Sequence, residues 1–159
     1  MKIGIIFYSL SGNTRQVAEK IEKNLSAAGH TVSLEEIRIS GDTPAQAGKF
    51  KLEHVPSVEE FEALILGSPV QAFSLNPVMK AYLDTMPSLK GKKVALFVTK
   101  HLPMLWLGGT GAIGIMKKAC EKKEARVVGT EIVVWSGKHR SRSIKNCEDS
   151  VSRLFSPSN

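Results

Sequence analysis

The sequence predicts an α/β fold, a doubly wound parallel sheet of five strands in the order 2-1-3-4-5 with helices on both faces in three layers. Strand-like runs alternate along the chain with helical runs, which is the pattern of such folds. Three of the strand-like runs are continuously apolar, as strands covered on both faces should be, whereas residues 31–35 alternate and are expected at an edge. A second strand at the edge, with the first strand inside it, corresponds to this order. The five runs are residues 2–8, 31–37, 63–68, 93–99 and 126–135.

The helical runs lie between and after these strands. Residues 14–29 carry apolar side chains at helical spacing, and so do residues 143–155 at the end of the chain. Another helix is expected after Asn76, because Asn76 is a good N-cap and the proline that follows it suits a first helical turn. Residues 40–58 have no clear period, so we expect a loop there, with a short helix as the alternative. A chain of 159 residues, 42% of them hydrophobic, is long enough for one core, and we expect one domain over residues 1–159.

The first strand runs directly into a turn that is rich in hydroxyl groups. Ser9, Ser11 and Thr14 supply short donors, and Gly12 lets the backbone curl so that its N–H groups point inward. The free N–H groups at the start of the next helix face the same spot, which favours an anion. The lysine of the Gly-x-x-x-x-Gly-Lys-Ser/Thr nucleotide loop is missing, so a single terminal phosphate fits better than ATP. The alternative interpretation is an ordinary loop with a helix cap.

Residues 8–14, Tyr-Ser-Leu-Ser-Gly-Asn-Thr, resemble the FMN-phosphate loop of the flavodoxin family. Residues 63–70 and 76–84 resemble the second loop and helix of flavodoxin-like quinone reductases, and the resemblance extends over most of the chain. It implies a flavodoxin-like fold, FMN as the cofactor and electron transfer as the activity. Ligands of such sheets lie beyond the carboxyl ends of the strands. The residues expected to bind FMN are Ser9, Leu10, Ser11, Gly12, Asn13 and Thr14 in the first loop, Pro69, Val70, Gln71, Ala72, Phe73 and Ser74 in the second, and Thr99, Lys100, His101, Trp106, Gly108 and Gly109 in the third.

Two aromatic residues in these loops have alternative interpretations. Phe73 is the aromatic side chain available to pack against the flavin ring, or else it is a hydrophobic plug. Trp106 stacks on the flavin or lines a substrate pocket in one interpretation, and closes the core or an oligomer contact in the other. The third loop is basic at its start and apolar afterwards, whereas carriers of the family usually have acidic and aromatic residues there. This departure favours an enzyme over a carrier.

Lys100 and His101 are the cations of the third loop. Reduced FMN carries a negative charge at the N1/O2 edge of its ring at neutral pH, and a cation about 6 Å away would stabilise it by roughly 2–3 kcal/mol at an effective dielectric constant near 20. This corresponds to about 0.1 V for a one-electron step. The second one-electron couple of the flavin is then expected well above that of acidic carriers. In the alternative interpretation both side chains extend into water, where screening leaves little of this effect.

Residues 109–114 match the dinucleotide motif Gly-x-Gly-x-x-Gly, with Glu131 near the position of a ribose-binding acid. The context is poor for this motif, because the preceding strand ends near Thr99 and only one further strand follows Glu131. We therefore expect these residues to form the start of a helix that ends at Lys123. The start of this helix, and not its end, is expected at the flavin site. Its glycines would then permit close approach to the flavin edge or to a phosphate of a reductant.

The formal net charge of +7 raises the question of nucleic-acid binding. Lysines and glutamates alternate in residues 117–124, which is typical of a solvated helix face, and the basic residues 137–145 lack interleaved aromatics. No specific nucleic-acid partner is therefore expected. Residues 137–145 are interpreted as a surface for an acidic partner or for an anionic cosubstrate such as NADPH. Lys138 and Arg140 follow the last strand, which is expected to place them on the side of the flavin.

Several other kinds of site are not expected. Cys120 and Cys147 form no Cys-x-x-Cys pair, so neither a disulfide framework, a zinc site nor an iron–sulfur cluster is indicated. The four histidines are scattered, and no metal or hydrolytic centre can be argued from them. No apolar run is long enough to span a membrane and no targeting segment is recognised, so a cytoplasmic location is expected.

Two functions remain. One is an FMN-dependent oxidoreductase that passes electrons from a reductant to a quinone-like or other small acceptor in a ping-pong cycle. The other is a flavodoxin-type carrier of single electrons between protein partners. A fold that has lost FMN and acts as a binding module is a third, weaker alternative. The expected partners are therefore a small-molecule or protein electron donor and acceptor, and association into a homo-oligomer is left open.

Overall fold

The computed structural model describes residues 1–41, 49–104 and 108–156. Strands and helices alternate over most of this range, as the sequence predicts, and the last helix is preceded by a 3-10 turn at Gly137–His139. The strands are β1 (Lys2–Phe7), β2 (Thr31–Glu36), β3 (Arg38–Gly41), β4 (Phe50–His54), β5 (Ala63–Gln71), β6 (Ser74–Leu75), β7 (Lys93–Lys100) and β8 (Arg126–Val134). The helices are α1 (Asn13–Ala27), α2 (Pro77–Thr85), α3 (Gly109–Lys122) and α4 (Arg140–Leu154).

Five parallel strands form the main sheet in the order β2-β1-β5-β7-β8. Counted along the chain among the parallel strands, this is the predicted order 2-1-3-4-5. The alternating strand β2 lies at the edge and is only partly buried, whereas the apolar strands β1, β5 and β7 lie inside. The α/β fold with a doubly wound sheet is therefore confirmed.

The core lies on both faces of the sheet. On one face, Ile3, Ile5 and Phe7 of β1 belong to a buried cluster that includes the apolar sides of α1 and α4. On the other face, Ile6 of β1 belongs to a second cluster, to which α2 and α3 contribute. The alternation of these side chains along one strand follows from the period of two in a pleated strand. Because the five strands are parallel, their carboxyl ends all lie at one edge of the sheet, where the loops that follow them meet.

The expectation of a loop or short helix over residues 40–58 was wrong for residues 40–41 and 50–54, whereas residues 55–58 have no regular secondary structure, as expected. β3 and β4 pair there as an antiparallel ribbon of two strands. Ile39, Phe50 and Leu52 are partly buried and pack against the cluster beneath α2 and α3. Phe50 and Leu52 are two residues apart and so point to the same side of a strand, which is a local period of two that is too short to stand out in the sequence.

Two other boundaries differ from the predicted ones by three residues. β5 continues to Gln71 and turns back into β6, so much of the expected second loop is a hairpin. α4 begins at Arg140, three residues before the predicted start, so the basic residues there belong to the first turn of a helix. In the described residues, no helix is both long and apolar enough to cross a membrane.

Candidate functional site

The loops after β1, β5 and β7 meet at the carboxyl edge of the sheet and form a cleft. Because these strands are parallel neighbours, their carboxyl ends lie side by side and their loops share one space. A second groove adjoins the cleft and shares three of its lining residues. The cleft is lined by Leu10, Ser11, Asn13, Thr14, Pro69, Val70, Thr99, Lys100 and His101. The adjoining groove is lined by Val70, Ala72, Phe73, Lys100, His101 and Leu102.

The turn after β1 leaves backbone donors open at the start of α1. Gly12 has φ of +93°, and its N–H and that of Arg15 donate to the hydroxyl oxygen of Ser9 at 3.1 and 3.3 Å. These two hydrogen bonds to the Ser9 side chain fix the conformation of the turn. Among the described residues, no acceptor is hydrogen-bonded to the N–H groups of Ser11, Asn13 and Thr14. The first turn of α1 contains no acidic side chain, so these donors and the positive end of the helix dipole suit an anion.

Thr14 also connects the first loop to the third. Its hydroxyl oxygen lies 3.0 Å from that of Thr99, and both side chains are buried. Thr14 belongs to the first turn of α1 and Thr99 to the penultimate position of β7. This hydrogen bond fixes the start of α1 against the end of β7 across the floor of the cleft.

The turn between β5 and β6 has an unusual backbone. Ala72 and Phe73 are its two central residues, and both have positive φ, +49° and +59°. Two-residue hairpin turns with positive φ at both positions usually contain Asn and Gly, because other residues are strained there. The Phe73 side chain is 66% exposed. It is therefore no hydrophobic plug, and the other interpretation, a ring partner at the site, remains a prediction.

Gly108 brings the third loop against this turn. It has φ of +95°, and a Cβ atom at this position would lie 2.6 Å from the carbonyl carbon of Phe73. Only glycine permits this backbone contact. Gly109 is also close-packed, since a Cβ atom there would lie 3.2 Å from the Cδ atom of Lys100. Gly111 and Gly114 have open space around them. Close approach of these glycines to the flavin edge or to a phosphate of a reductant stays a prediction.

Lys100 is the only buried lysine in the described residues, and it lines both the cleft and the groove. Its side chain is 5% exposed, and its ammonium group donates to the carbonyl oxygen of Met104. Burial lowers the pKa of this ammonium from its usual range. Lys100 therefore does not extend into water, whereas the neighbouring His101 is exposed.

The structure brings most of the expected site residues together. Ser9 and Gly12 shape the first loop, Gln71 accepts a hydrogen bond from the side-chain amide of Asn76, and Ser74 pairs with Gln71 in the hairpin. Trp106 lies outside the described residues. Asn76 also caps α2 by accepting a hydrogen bond from the N–H of Val78 at 2.8 Å, as its sequence context predicts.

Sequence reasoning missed two features of the site. Leu102 lines the groove. The only signal in the sequence for this role is that Leu102 directly follows the basic residues Lys100 and His101. Asn76 was assigned only as a helix cap, but its second hydrogen bond, to Gln71, also fixes the hairpin. Amide side chains can make two such contacts because they carry both a donor and an acceptor.

Other reactive groups lie away from the cleft. Cys120 and Cys147 are buried thiols, and burial raises the pKa of both, that of Cys120 to about 12. Thiols with raised pKa are poor nucleophiles and poor metal ligands. In the part of the chain that the structure describes, no three histidine, cysteine or acidic side chains are placed to hold a metal ion.

FMN fits the residues present. The open N–H groups and hydroxyls of the first loop suit one phosphate, and they lack the lysine that a nucleoside triphosphate requires. The adjoining groove is largely apolar and lies between the hairpin and the third loop, as a planar ring requires. Residues of the first loop would hold the phosphate, and those of the second and third loops would border the ring.

Comparisons with known proteins agree with this fit. A family model described as NADPH-dependent FMN reductase matches residues 1–104. A flavodoxin of Megasphaera elsdenii is 31% identical over 134 residues, which are 82% of this chain and 85% of that protein. An NAD(P)H dehydrogenase (quinone) of Azorhizobium caulinodans is 28% identical over 90 residues, which are 52% of this chain and 45% of that relative. The matched region thus spans less than half of the dehydrogenase.

Solved structures agree in fold. The crystal structure of oxidised flavodoxin 1 from Bacillus cereus matches with a TM-score of 0.72 at 21% identity, and the match covers 98% of this chain and 97% of that one. The solution structure of two-electron reduced Megasphaera elsdenii flavodoxin matches with a TM-score of 0.67 at 25% identity, over 95% of this chain and 98% of that one. The family model covers well over half of the chain, and the flavodoxin relative covers most of it. The chain belongs to the flavodoxin-like family of FMN-binding proteins.

Proposed function

We propose that this protein is an FMN-dependent oxidoreductase that passes electrons from a reductant to a quinone-like or other small acceptor. The observation that carries the proposal is the groove beside the phosphate cleft. It is open, it is lined mainly by apolar side chains, and its basic residues are Lys100 and His101, with no carboxylate in the lining. Because the groove is open, a flavin ring bordered by its residues would stay accessible to a small planar acceptor.

The residues of the chain divide the task between binding and electrostatics. The N–H groups and hydroxyls of the first loop would anchor the phosphate, and the bonded pair Thr14 and Thr99 would hold that loop in place. Val70 and Ala72 would border one side of the ring, and Leu102 the other. The ammonium of Lys100 would stabilise negative charge on a group bound in the cleft or the groove. Bound FMN supplies the redox chemistry, since the side chains of the site contain no redox group.

The names of similar proteins support the reductase class. The matching family model is described as NADPH-dependent FMN reductase, and two relatives are named NAD(P)H dehydrogenase (quinone). A nicotinamide cofactor is therefore the reductant to test first, and a quinone the acceptor to test first.

The experiment is anaerobic stopped-flow mixing of the FMN-loaded protein with NADPH or NADH, followed by mixing of the reduced protein with a soluble quinone such as menadione. We expect direct bleaching of the flavin absorbance near 450 nm by one of the two nucleotides and fast reoxidation by the quinone. The absence of bleaching at millimolar concentrations of both nucleotides would contradict the proposed reductase. A protein that stays colourless after incubation with FMN would contradict FMN binding itself.

A flavodoxin-type carrier is the second candidate. It is favoured by the flavodoxin relative, whose match covers 82% of this chain, whereas the dehydrogenase match covers 52%. A carrier would be reduced through another protein and not by a nicotinamide nucleotide. The same stopped-flow experiment therefore separates the two functions.

A further inference from the structure

We propose that the carboxyl edge of the sheet around β7 and β8 is a docking surface for an electron-transfer protein with an acidic contact face. This inference rests on the proposed function in one respect only, because it requires FMN as the redox group.

Carboxylates are missing from the segments that form this edge. The sequence contains no Asp or Glu in residues 1–18, 63–83, 85–120 and 132–147, which include the loops after β1, β5, β7 and β8. At the edge strand β2, Glu36 pairs with Arg15, and Glu35 and Glu36 share a pocket with Arg15 and Arg38. The carboxylates at β2 are therefore matched by basic side chains, whereas the loops after β7 and β8 carry positive charge and no carboxylate.

The positive side carries four basic residues in a short segment after β8. The N–H of Trp135 donates to the carbonyl oxygen of Lys100 at 2.7 Å, so this segment starts beside the third loop of the site. Arg140 stacks over the ring of Trp135 at 4.6 Å from its centroid. The side chains that define this basic edge are Lys138, His139, Arg140 and Arg142, and all four are exposed.

These cations are not neutralised within the described residues. Lys138, Arg140 and Arg142 form no ion pair there, whereas the nearby Lys145 pairs with Asp149 at 2.8 Å. Unpaired surface cations of one sign steer an oppositely charged partner and raise its association rate, and salt screens this effect.

The third loop adds one exposed apolar side chain outside the site. Met104 is 40% exposed and lines neither the cleft nor the groove, whereas Leu10, Phe73 and Leu102 line the space that FMN would occupy. The free surface beside the site is therefore mainly basic.

The same observations argue against a small anion as the occupant. The cations Lys138, Arg140 and Arg142 line neither the cleft nor the groove, so they form no concave site with them. A protein with acidic residues on its contact face can cover all of these cations at once.

In each encounter the reduced partner would lose one electron and bound FMN would gain it, so the partner is oxidised and the flavin reduced by one electron. Two encounters and the uptake of protons from solvent complete the two-electron reduction of FMN. No bond between the proteins is formed or broken.

The test uses the FMN-loaded full chain and a reduced acidic [2Fe–2S] ferredoxin as the probe. A charge-reversal variant combines Lys138→Glu, Arg140→Glu and Arg142→Glu. A matched control combines Lys90→Glu, Lys118→Glu and Lys122→Glu, which changes the net charge by the same amount. These three lysines are exposed. They lie toward the amino ends of the strands, where the N–H of Leu89 donates to the carbonyl oxygen of Lys123. Flavin absorbance and thermal melting show whether each variant is folded and loaded.

For the wild type we expect an electron-transfer rate that falls at least tenfold between low and high salt. The charge-reversal variant should lose at least tenfold of the low-salt rate and most of the salt dependence, and the control less than threefold. Equal rates for the wild type and the charge-reversal variant would overturn the proposal. An effect of charge reversal on reduction by NADPH but not by ferredoxin would also overturn it, and would assign the basic edge to a dinucleotide. Failure of NADPH to reduce the protein would contradict only the proposed reductase.

Discussion

The hydroxyl oxygen of Thr14 lies 3.0 Å from that of Thr99, in a buried position between the first and third loops. A buried hydroxyl that loses its partner is penalised because neither water nor another protein group satisfies it. The pair therefore makes the position of the phosphate loop depend on a residue in another loop.

Replacing Thr99 by Val should weaken the binding of FMN by about 3- to 10-fold, since the net contribution of one such hydrogen bond is roughly 0.5–1.5 kcal/mol. The measurement is quenching of FMN fluorescence on titration with apoprotein. Thr99→Ser keeps the hydroxyl and should bind nearly as well as the wild type. Riboflavin lacks the phosphate, so its affinity should change less. An equal loss for FMN and riboflavin would assign Thr99 to the ring side of the site.

The glycine at position 108 gives a second prediction. Gly108→Ala adds a Cβ atom 2.6 Å from the backbone of Phe73 at a residue with φ of +95°. The strain of positive φ and the clash together should lower the free energy of unfolding by about 2–4 kcal/mol. Urea denaturation of the apoprotein measures this change. Gly111→Ala, where a Cβ atom meets nothing, should leave stability unchanged or raise it by up to about 1 kcal/mol. Similar results for the two variants would contradict the close approach.

Much of this arrangement could be predicted from the sequence, because it depends on local patterns. The apolar runs at Ile3 to Phe7 and around Leu64 indicate buried strands, and the hydroxyl-rich turn after β1 indicates an anion site. The β3–β4 ribbon could not be predicted, because its short strands are held by packing of Phe50 and Leu52 on the core. Contacts between distant segments, such as Gly108 with Phe73, leave no local pattern at all.

The turn at Ala72 and Phe73 gives a third prediction. Its backbone is strained by positive φ, and it lies where the flavin ring is proposed to bind. Ala72→Gly should raise the free energy of unfolding by about 0.5–1 kcal/mol, since glycine adopts the φ of +49° without strain but loses more entropy on folding. The matched control Ala81→Gly, within α2, should lower it by about 0.5–1 kcal/mol. Thermal melting of both apoproteins checks the two signs. A destabilising Ala72→Gly would mean that the turn is not strained in solution.

Lys100 gives the last prediction, which joins stability to redox chemistry. Burial lowers the pKa of its ammonium, so the unfolded chain binds a proton more tightly than the folded one. The ammonium therefore destabilises the folded apoprotein at neutral pH, and this penalty disappears as the pH rises toward the usual lysine range. Lys100→Met should leave the apoprotein as stable as the wild type or more stable in urea at pH 7, and this advantage should shrink at pH 10.

The same substitution should disfavour the reduced flavin. A unit charge about 6 Å from an anionic ring edge contributes roughly 2–3 kcal/mol at an effective dielectric constant near 20, which is about 40–60 mV for a two-electron couple. Lys100→Met should therefore lower the midpoint potential of bound FMN by a shift of this order, and Lys100→Arg should preserve it. Redox titration of the two loaded variants, with FMN affinity measured in parallel, checks this. An unchanged potential in Lys100→Met, with unchanged FMN binding, would contradict an electrostatic role. The role of Lys100 would then be structural, through its hydrogen bond to the carbonyl oxygen of Met104.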